Sequence, residues 1–162
     1  MILQYIQSSS NELFILIVGA GAYLLMFVLP QRFTKGQIVT MLLISSYWIC
    51  FFDTTLCVNP FDYYDINDTP YFDLWDLLSF VMFGPFTYLF IYFYTSIEKN
   101  RTTYFFYISI WALIAIVSEA LAWHANIYRY KNGYQMFYSL PIYLIVLSIT
   151  LMYHRFFMRK NK

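Results

Sequence analysis

The sequence predicts an all-α fold: a polytopic bundle of five transmembrane helices forming a single domain over residues 1–162. Three observations carry that expectation. Apolar residues make up 60% of the chain and charged residues only 12%, about half the charged share of an ordinary soluble domain. The apolar residues fall in blocks long enough to cross roughly 30 Å of hydrocarbon as helices. The blocks are continuous rather than alternating, and lipid admits only helices or closed barrels.

The first helix is expected over about 13–29, where Pro30 stops it, and the second over 38–58, ended by Asn59-Pro60. The third covers 74–97, the fourth 103–123 and the fifth 136–157. Ala20-Gly21-Ala22 has the small-x-small look of a signal-peptide cleavage site. No Lys or Arg precedes the apolar run, however, and "YLLMFVLP" continues it, so the segment reads as a membrane helix. Within it, Gly19 and Gly21 would permit close helix contact.

Basic residues set the orientation. Arg32, Lys35, Lys99, Arg101, Arg155, Arg159, Lys160 and Lys162 fall on one side, and only Arg129 and Lys131 on the other. The positive-inside rule then places the N-terminus outside and the C-terminus in the cytoplasm. The basic tail is a topology signal and anchor, and no nucleic-acid partner is expected. Cys50 and Cys57 lie seven residues apart in the second helix, with Cα atoms roughly 10 Å apart. That is beyond disulfide reach, and neither the spacing nor a His partner suits a metal. They read as small buried residues, and no metal or cofactor is expected.

The acids are placed unevenly. Glu98 alone is cytoplasmic, while Glu12, Asp53, Asp62, Asp65, Asp68, Asp73, Asp76 and Glu119 lie toward the outer face. In "DINDTPYFDLWD" the oxygen-bearing residues follow an EF-hand count, but Pro70 stands where the loop needs Gly and Asp76 where it needs Glu. An EF-hand is therefore rejected. Asp62, Asp65 and Asp68 read as a solvated loop.

Asp53 and Glu119 each sit about one turn before the outer end of an outgoing helix, where ionisable groups face the bundle interior and find partners. Ala112, Ala115, Glu119 and Ala122 share one stripe of the fourth helix, as do Ser46, Cys50, Asp53 and Cys57 on the second. Each acid is followed by a polar loop and a helix containing proline, Pro85 or Pro141. That order suggests a parallel repeat about an axis along the membrane normal, with each proline freeing a carbonyl for a neighbouring polar group.

His124 lies five residues beyond Glu119, and shares its face only if the helix has ended. Arg129 and Lys131 could fold back over Asp53, Asp76 or Glu119. Asn132-Gly133 marks a turn, after which Tyr134, Gln135, Tyr138 and Ser139 return to the same level. Trp75, Trp123 and several tyrosines fit an interfacial aromatic belt. The pocket candidates are therefore Asp53, Asp76, Glu119, His124, Arg129, Tyr134, Tyr138 and Ser139, with no catalytic residue assigned.

The segment "SEALAWHANIYRYKNGYQMFYSLPIYLIVLSITLMYHR" resembles an uncharacterised family of small polytopic membrane proteins of spore-forming Gram-positive bacteria. The likeness rests on Glu119, the Ile127–Tyr130 loop, Asn132-Gly133 with Tyr134, Tyr138-Ser139 and the basic tail from Arg155. Tyr134 and Tyr138 stand where that family is expected to carry tryptophan. "FDTTL…NPFDYYD" and "LWDLLSFVMFGP" extend the resemblance from Trp48 to the C-terminus. It implies a five-helix bundle in a bacterial cytoplasmic membrane and brings no activity with it.

Three classes of function are compatible with these residues. The first is a non-enzymatic binding or accessory subunit with an outward acidic and aromatic pocket. Membrane lipids are the expected partners, with a second membrane protein or an outer-face cation as further candidates. The second is a membrane-embedded enzyme acting on a lipid-linked substrate, with Glu119 as general acid or base. The third is ion or proton transport, which would need a second polar half that the cytoplasmic ends of the helices lack.

Overall fold

The computed structural model describes the backbone of residues 2–66, 74–98 and 100–158, and the side chains of 12–66, 77–98 and 100–157. Six α-helices dominate it: α1 (Ile2–Val28), α2 (Lys35–Leu56), α3 (Leu74–Met82), α4 (Pro85–Tyr94), α5 (Arg101–His124) and α6 (Ser139–Tyr153). Two strands of three residues, β1 (Tyr64–Ile66) and β2 (Tyr128–Tyr130), join them. Among the described residues, four helical stretches are long and apolar enough to cross a membrane: Lys35–Leu56, Leu77–Tyr94, Arg101–His124 and Met136–Phe157. Glu12–Val28 is a shorter apolar helix, continuous with backbone helix reaching back to Ile2.

The expected third helix is two helices. Pro85 has no N–H to give the carbonyl of Val81, so the chain turns at Phe83-Gly84 and restarts with Pro85 in the first turn of α4. The freed acceptors find other donors. Val81 accepts from the Tyr23 hydroxyl at 2.9 Å, Phe83 from Ser45 at 2.9 Å and Phe80 from Ser46 at 3.0 Å. These bonds tie α1 and α2 to the break. Pro141 plays no such part, because it sits in the first turn of α6.

The α4 helix is the centre of the bundle, with Tyr88, Leu89, Phe90, Ile91, Tyr92 and Tyr94 all buried. It packs against α1 and α2, while α5 pairs with α6. Gly19 permits the close approach of α1 to α3, since a Cβ there would lie 2.5 Å from that of Met82. A Cβ at Gly21 would meet nothing within 4 Å, so the expected glycine contact belongs to Gly19 alone. Helix starts are capped where the sequence allows it. Thr34 and Gln37 form a reciprocal capping box on α2, and Asn100 accepts from the Thr103 N–H on α5.

No strand was expected, because three residues are too few to show a period of two. Yet β1 and β2 pair antiparallel, Tyr64 opposite Tyr130, Asp65 opposite Arg129 and Ile66 opposite Tyr128. The Asn132-Gly133 turn is found as expected: φ is +47° and +77°, and the Tyr134 N–H closes it onto Lys131 at 2.9 Å. The ribbon lies across one end of the bundle, beside Asp53, Asp62, Asp65 and Glu119. At the other end the Arg32 guanidinium rests 4.4 Å from the Tyr92 ring centre and donates to Ser96 and Thr95.

Candidate functional site

Glu119 is buried, 7% exposed, because the alanine stripe of α5 lets α6 approach; Ala112 and Ala122 are buried with it. Three hydroxyls surround its carboxylate. Tyr130 and Ser139 each donate to Oε1 at 2.7 Å, and Tyr143 donates to Oε2 at 2.9 Å. Ser139 spends its only proton on Glu119, so the Tyr134 hydroxyl, 2.9 Å away, donates to Ser139. The arrangement suits a group that only accepts, as an ionised carboxylate does.

Asp53 is met in the same way. The Tyr64 hydroxyl donates to Oδ1 at 3.2 Å. In each half of the chain, therefore, an acid near the end of a helix accepts from a tyrosine eleven residues later. The two tyrosines are register partners in the ribbon, which is the relation a two-fold axis through that pair would produce. The two halves thus correspond in their acid–tyrosine pairs and differ in the parts played by their prolines.

Both acids open on one cavity of about 370 Å³, within the usual range of small-molecule pockets. It lies among α2, α4, α5 and α6, with α1, α3 and the ribbon contributing to its wall. From Asp53 to Ser45 on α2, and from Glu119 to Trp111 on α5, the wall runs eight residues, roughly 12 Å along the helix axes. Its deeper surface is phenylalanine, tryptophan and aliphatic, with Ser45, Thr87 and Thr150 hydroxyls. Asp53 and Glu119 are the only charged residues of the wall among the described residues.

Tyr128 lines the same cavity, near enough for the charges of both acids to act on it. The residue as a whole is half-buried. Burial, then the charges of Asp53 and Glu119, push its pKa well above the ordinary tyrosine value. Its hydroxyl makes no hydrogen bond among the described residues. Tyr64 and Tyr130 are raised as well, by burial first and then by Asp53 or Glu119 respectively. Burial, followed by the Asp53 charge, pushes the Cys57 thiol up to about 12.

Of the pocket candidates, Asp53, Glu119, Tyr134 and Ser139 come together at this cavity. Three others stand outside it. His124 is the last residue of α5, still helical, and so turns away from Glu119; it is exposed, its ring against Trp123. Tyr138 is exposed and touches the site only through the edge of the Tyr134 ring. Arg129 is exposed, on the face of β2 opposite Tyr128 and Tyr130, because side chains alternate along a strand. The Asp76 side chain lies outside the described residues, as do Asp68 and Asp73.

Among the described residues the ion pairs of the loop go to Asp62 and Asp65 rather than to Glu119. Lys131 is drawn to the outer face of the ribbon, 2.6 Å from Asp65 and 3.8 Å from Asp62. Asp62 and Asp65, expected in a solvated loop, are its partners, and the Asn132 amide adds a bond to the Asp62 carbonyl at 2.9 Å. The cysteines are free, but Cys50 is exposed rather than buried. Sequence reasoning missed Tyr64, Tyr128, Tyr130 and Tyr143, absorbed into an aromatic belt. The spacing of eleven from each acid to a tyrosine was the signal that could have found two of them.

The chain is thus a helical bundle with the build of a polytopic membrane protein and an acidic, tyrosine-ringed cavity. No protein-family model, curated protein or solved structure matches it.

Proposed function

We propose that this chain is a multi-pass protein of a bacterial cytoplasmic membrane that binds a lipophilic ligand without transforming it, as a binding or accessory subunit. In this reading α1 is the fifth span, the ribbon end faces outward and the C-terminus lies in the cytoplasm. The split of basic residues, eight against two, supports that orientation. The resemblance to small membrane proteins of spore-forming Gram-positive bacteria supports the location.

One observation carries the binding reading: two carboxylates from opposite halves of the chain open on a single cavity whose remaining wall is apolar. Such a cavity would be filled by lipid or by a ligand that leaves the bilayer. The hydroxyls on Glu119 favour binding over acid–base work, since both its oxygens are already engaged. Native mass spectrometry of the protein released from nanodiscs tests the reading. A small lipophilic species should be retained by the wild type and lost from Val146→Phe, which fills the cavity. Equal retention, or none in either, would count against it.

The second reading is an enzyme acting on a lipid-linked substrate, with Glu119 as general acid or base. Its support is that Asp53, Glu119 and Tyr128 line one space. A turnover of bound lipid that Glu119→Gln abolishes, while retention persists, would favour it.

A further inference from the structure

The deep end of the cavity offers hydrogen-bond donors that the protein itself does not use. Thr54 and Thr55 on α2, and Ser109 and Ser118 on α5, give their protons to carbonyls one turn back, which satisfies a hydroxyl inside an apolar helix. Thr87 on α4 and Thr150 on α6 differ: their hydroxyls make no hydrogen bond among the described residues. For Thr87 the reason lies in the break before α4. The Phe83 carbonyl, one turn back, already accepts from Ser45 at 2.9 Å and from the Phe86 N–H at 3.2 Å, which fills both its lone pairs. Thr150 is only 4% exposed, a setting in which an unmade hydroxyl bond is costly. Both residues line the cavity and neither oxygen is sealed off, so a group inside the cavity can reach them.

Resting on the binding reading above, we infer that the ligand is a lipophile that carries an uncharged carbonyl oxygen and seats it at Thr87 and Thr150. Thr150 lies seven residues beyond Tyr143, the Glu119 partner on α6, roughly 10 Å along the helix axis. Ser45 marks a similar depth on α2, and Thr87 lies one turn beyond the carbonyl that Ser45 binds. Ser45 has given its proton to Phe83, so the donors left at this end are the two threonines. A carbonyl oxygen has the lone pairs to take them and brings no proton of its own to place. The charges of the wall among the described residues, Asp53 and Glu119, stand at the other end, so an ionic head would be stranded beside the threonines. A pure hydrocarbon would leave both hydroxyls unmade. The body of the ligand lies along Phe52, Phe86, Val146 and Leu147, where roughly 12 Å of apolar wall suits an alkyl chain of medium length.

The test uses the full chain in nanodiscs and two brominated probes of one chain length, 12-bromo-2-dodecanone and 1-bromododecane, each dosed per lipid so that partition into the bilayer cancels. Trp48 and Trp111 line the cavity, so bromine quenching of their fluorescence reads occupancy, and Val146→Phe gives the background from the surrounding lipid. The ketone is expected to half-quench at about a tenfold lower dose than the bromoalkane, the worth of one or two hydrogen bonds. Thr87→Val with Thr150→Val keeps the shape of both side chains and should bring the ketone to the level of the bromoalkane. The same variant should not lower the thermal midpoint of the protein without probe, since no bond within the protein is lost. Thr87→Ser with Thr150→Ser keeps the hydroxyls and should keep the preference. Equal quenching by the two probes in the wild type, above background, overturns the carbonyl assignment while leaving the binding reading intact, and needs no variant to fold. A ketone preference that survives the valine variant also overturns it, as does a lowered midpoint. Quenching by both probes that is no greater than in Val146→Phe overturns the binding reading itself.

Discussion

Tyr64 and Tyr130 face each other across the β1–β2 ribbon, and each gives its hydroxyl to an acid eleven residues earlier in its own half of the chain. The two bonds differ in length, 3.2 Å to Asp53 and 2.7 Å to Glu119. Tyr130→Phe is therefore expected to destabilise the protein more than Tyr64→Phe, by about 1–2 kcal/mol against about 0.5–1 kcal/mol. Unfolding of the two variants in the same detergent measures this, and the reverse ranking would contradict it.

Glu119 organises more than one partner. In Glu119→Ala three hydroxyls lose their acceptor in a buried setting, and a loss of about 3 kcal/mol is expected. Glu119→Gln keeps one carbonyl oxygen for Tyr130 and Ser139, and Tyr143 can turn to accept from the new amide. Its cost should be about half as large. If Glu119→Ala unfolds at the wild-type midpoint, the hydroxyl network contributes nothing to stability.

Two glycines of α1 separate a packing role from a neutral one. Gly19→Ala puts a methyl where Met82 already stands, and overpacking of this kind costs about 1–3 kcal/mol. Gly21→Ala meets open space and removes a poor helix former, so it should be neutral or stabilising by up to about 1 kcal/mol. Thermal midpoints of the two single variants decide the matter; equal effects would place the α1–α3 contact elsewhere.

The Cys57 thiol, pushed up to about 12, holds its proton across the working range. The thiolate is the nucleophile, so iodoacetamide should alkylate Cys57 roughly a thousandfold more slowly at pH 8 than a thiol near pKa 9. Its rate should climb about tenfold per pH unit between pH 8 and 10 without levelling. Asp53→Asn removes one of the charges that raise the pKa, and should speed the reaction. Peptide mass spectrometry in a Cys50→Ser background measures the rates. A plateau near pH 9 would show an ordinary thiol.

Much of the site was legible as single residues and little of it as partners. Asp53 and Glu119 stood out because a carboxylate within an apolar helix is costly, and helical spacing put Glu119 on a stripe of alanines. What each acid touches depends on segments that helical periodicity does not relate. Tyr130 reaches Glu119 because β2 turns it inward, and β2 exists because it pairs with β1, sixty-odd residues earlier. The same alternation that delivers Tyr128 and Tyr130 to the cavity turns Arg129 outward. Helical phase alone could not reveal that exchange of a cation for hydroxyls.

By itself the sequence determined the class of this protein. Long apolar blocks must become helices in lipid, since nothing else satisfies their backbone there. It also determined the turn at Asn132-Gly133 and the place of the two acids near the ends of their helices. Tertiary structure decided where α3 gives way to α4, which carbonyls the serines of α2 cap, and that both acids share one cavity. It also decided that hydroxyls rather than Arg129 or Lys131 meet Glu119. Those outcomes turn on contacts between segments far apart in the chain, and such contacts follow from packing rather than from local pattern.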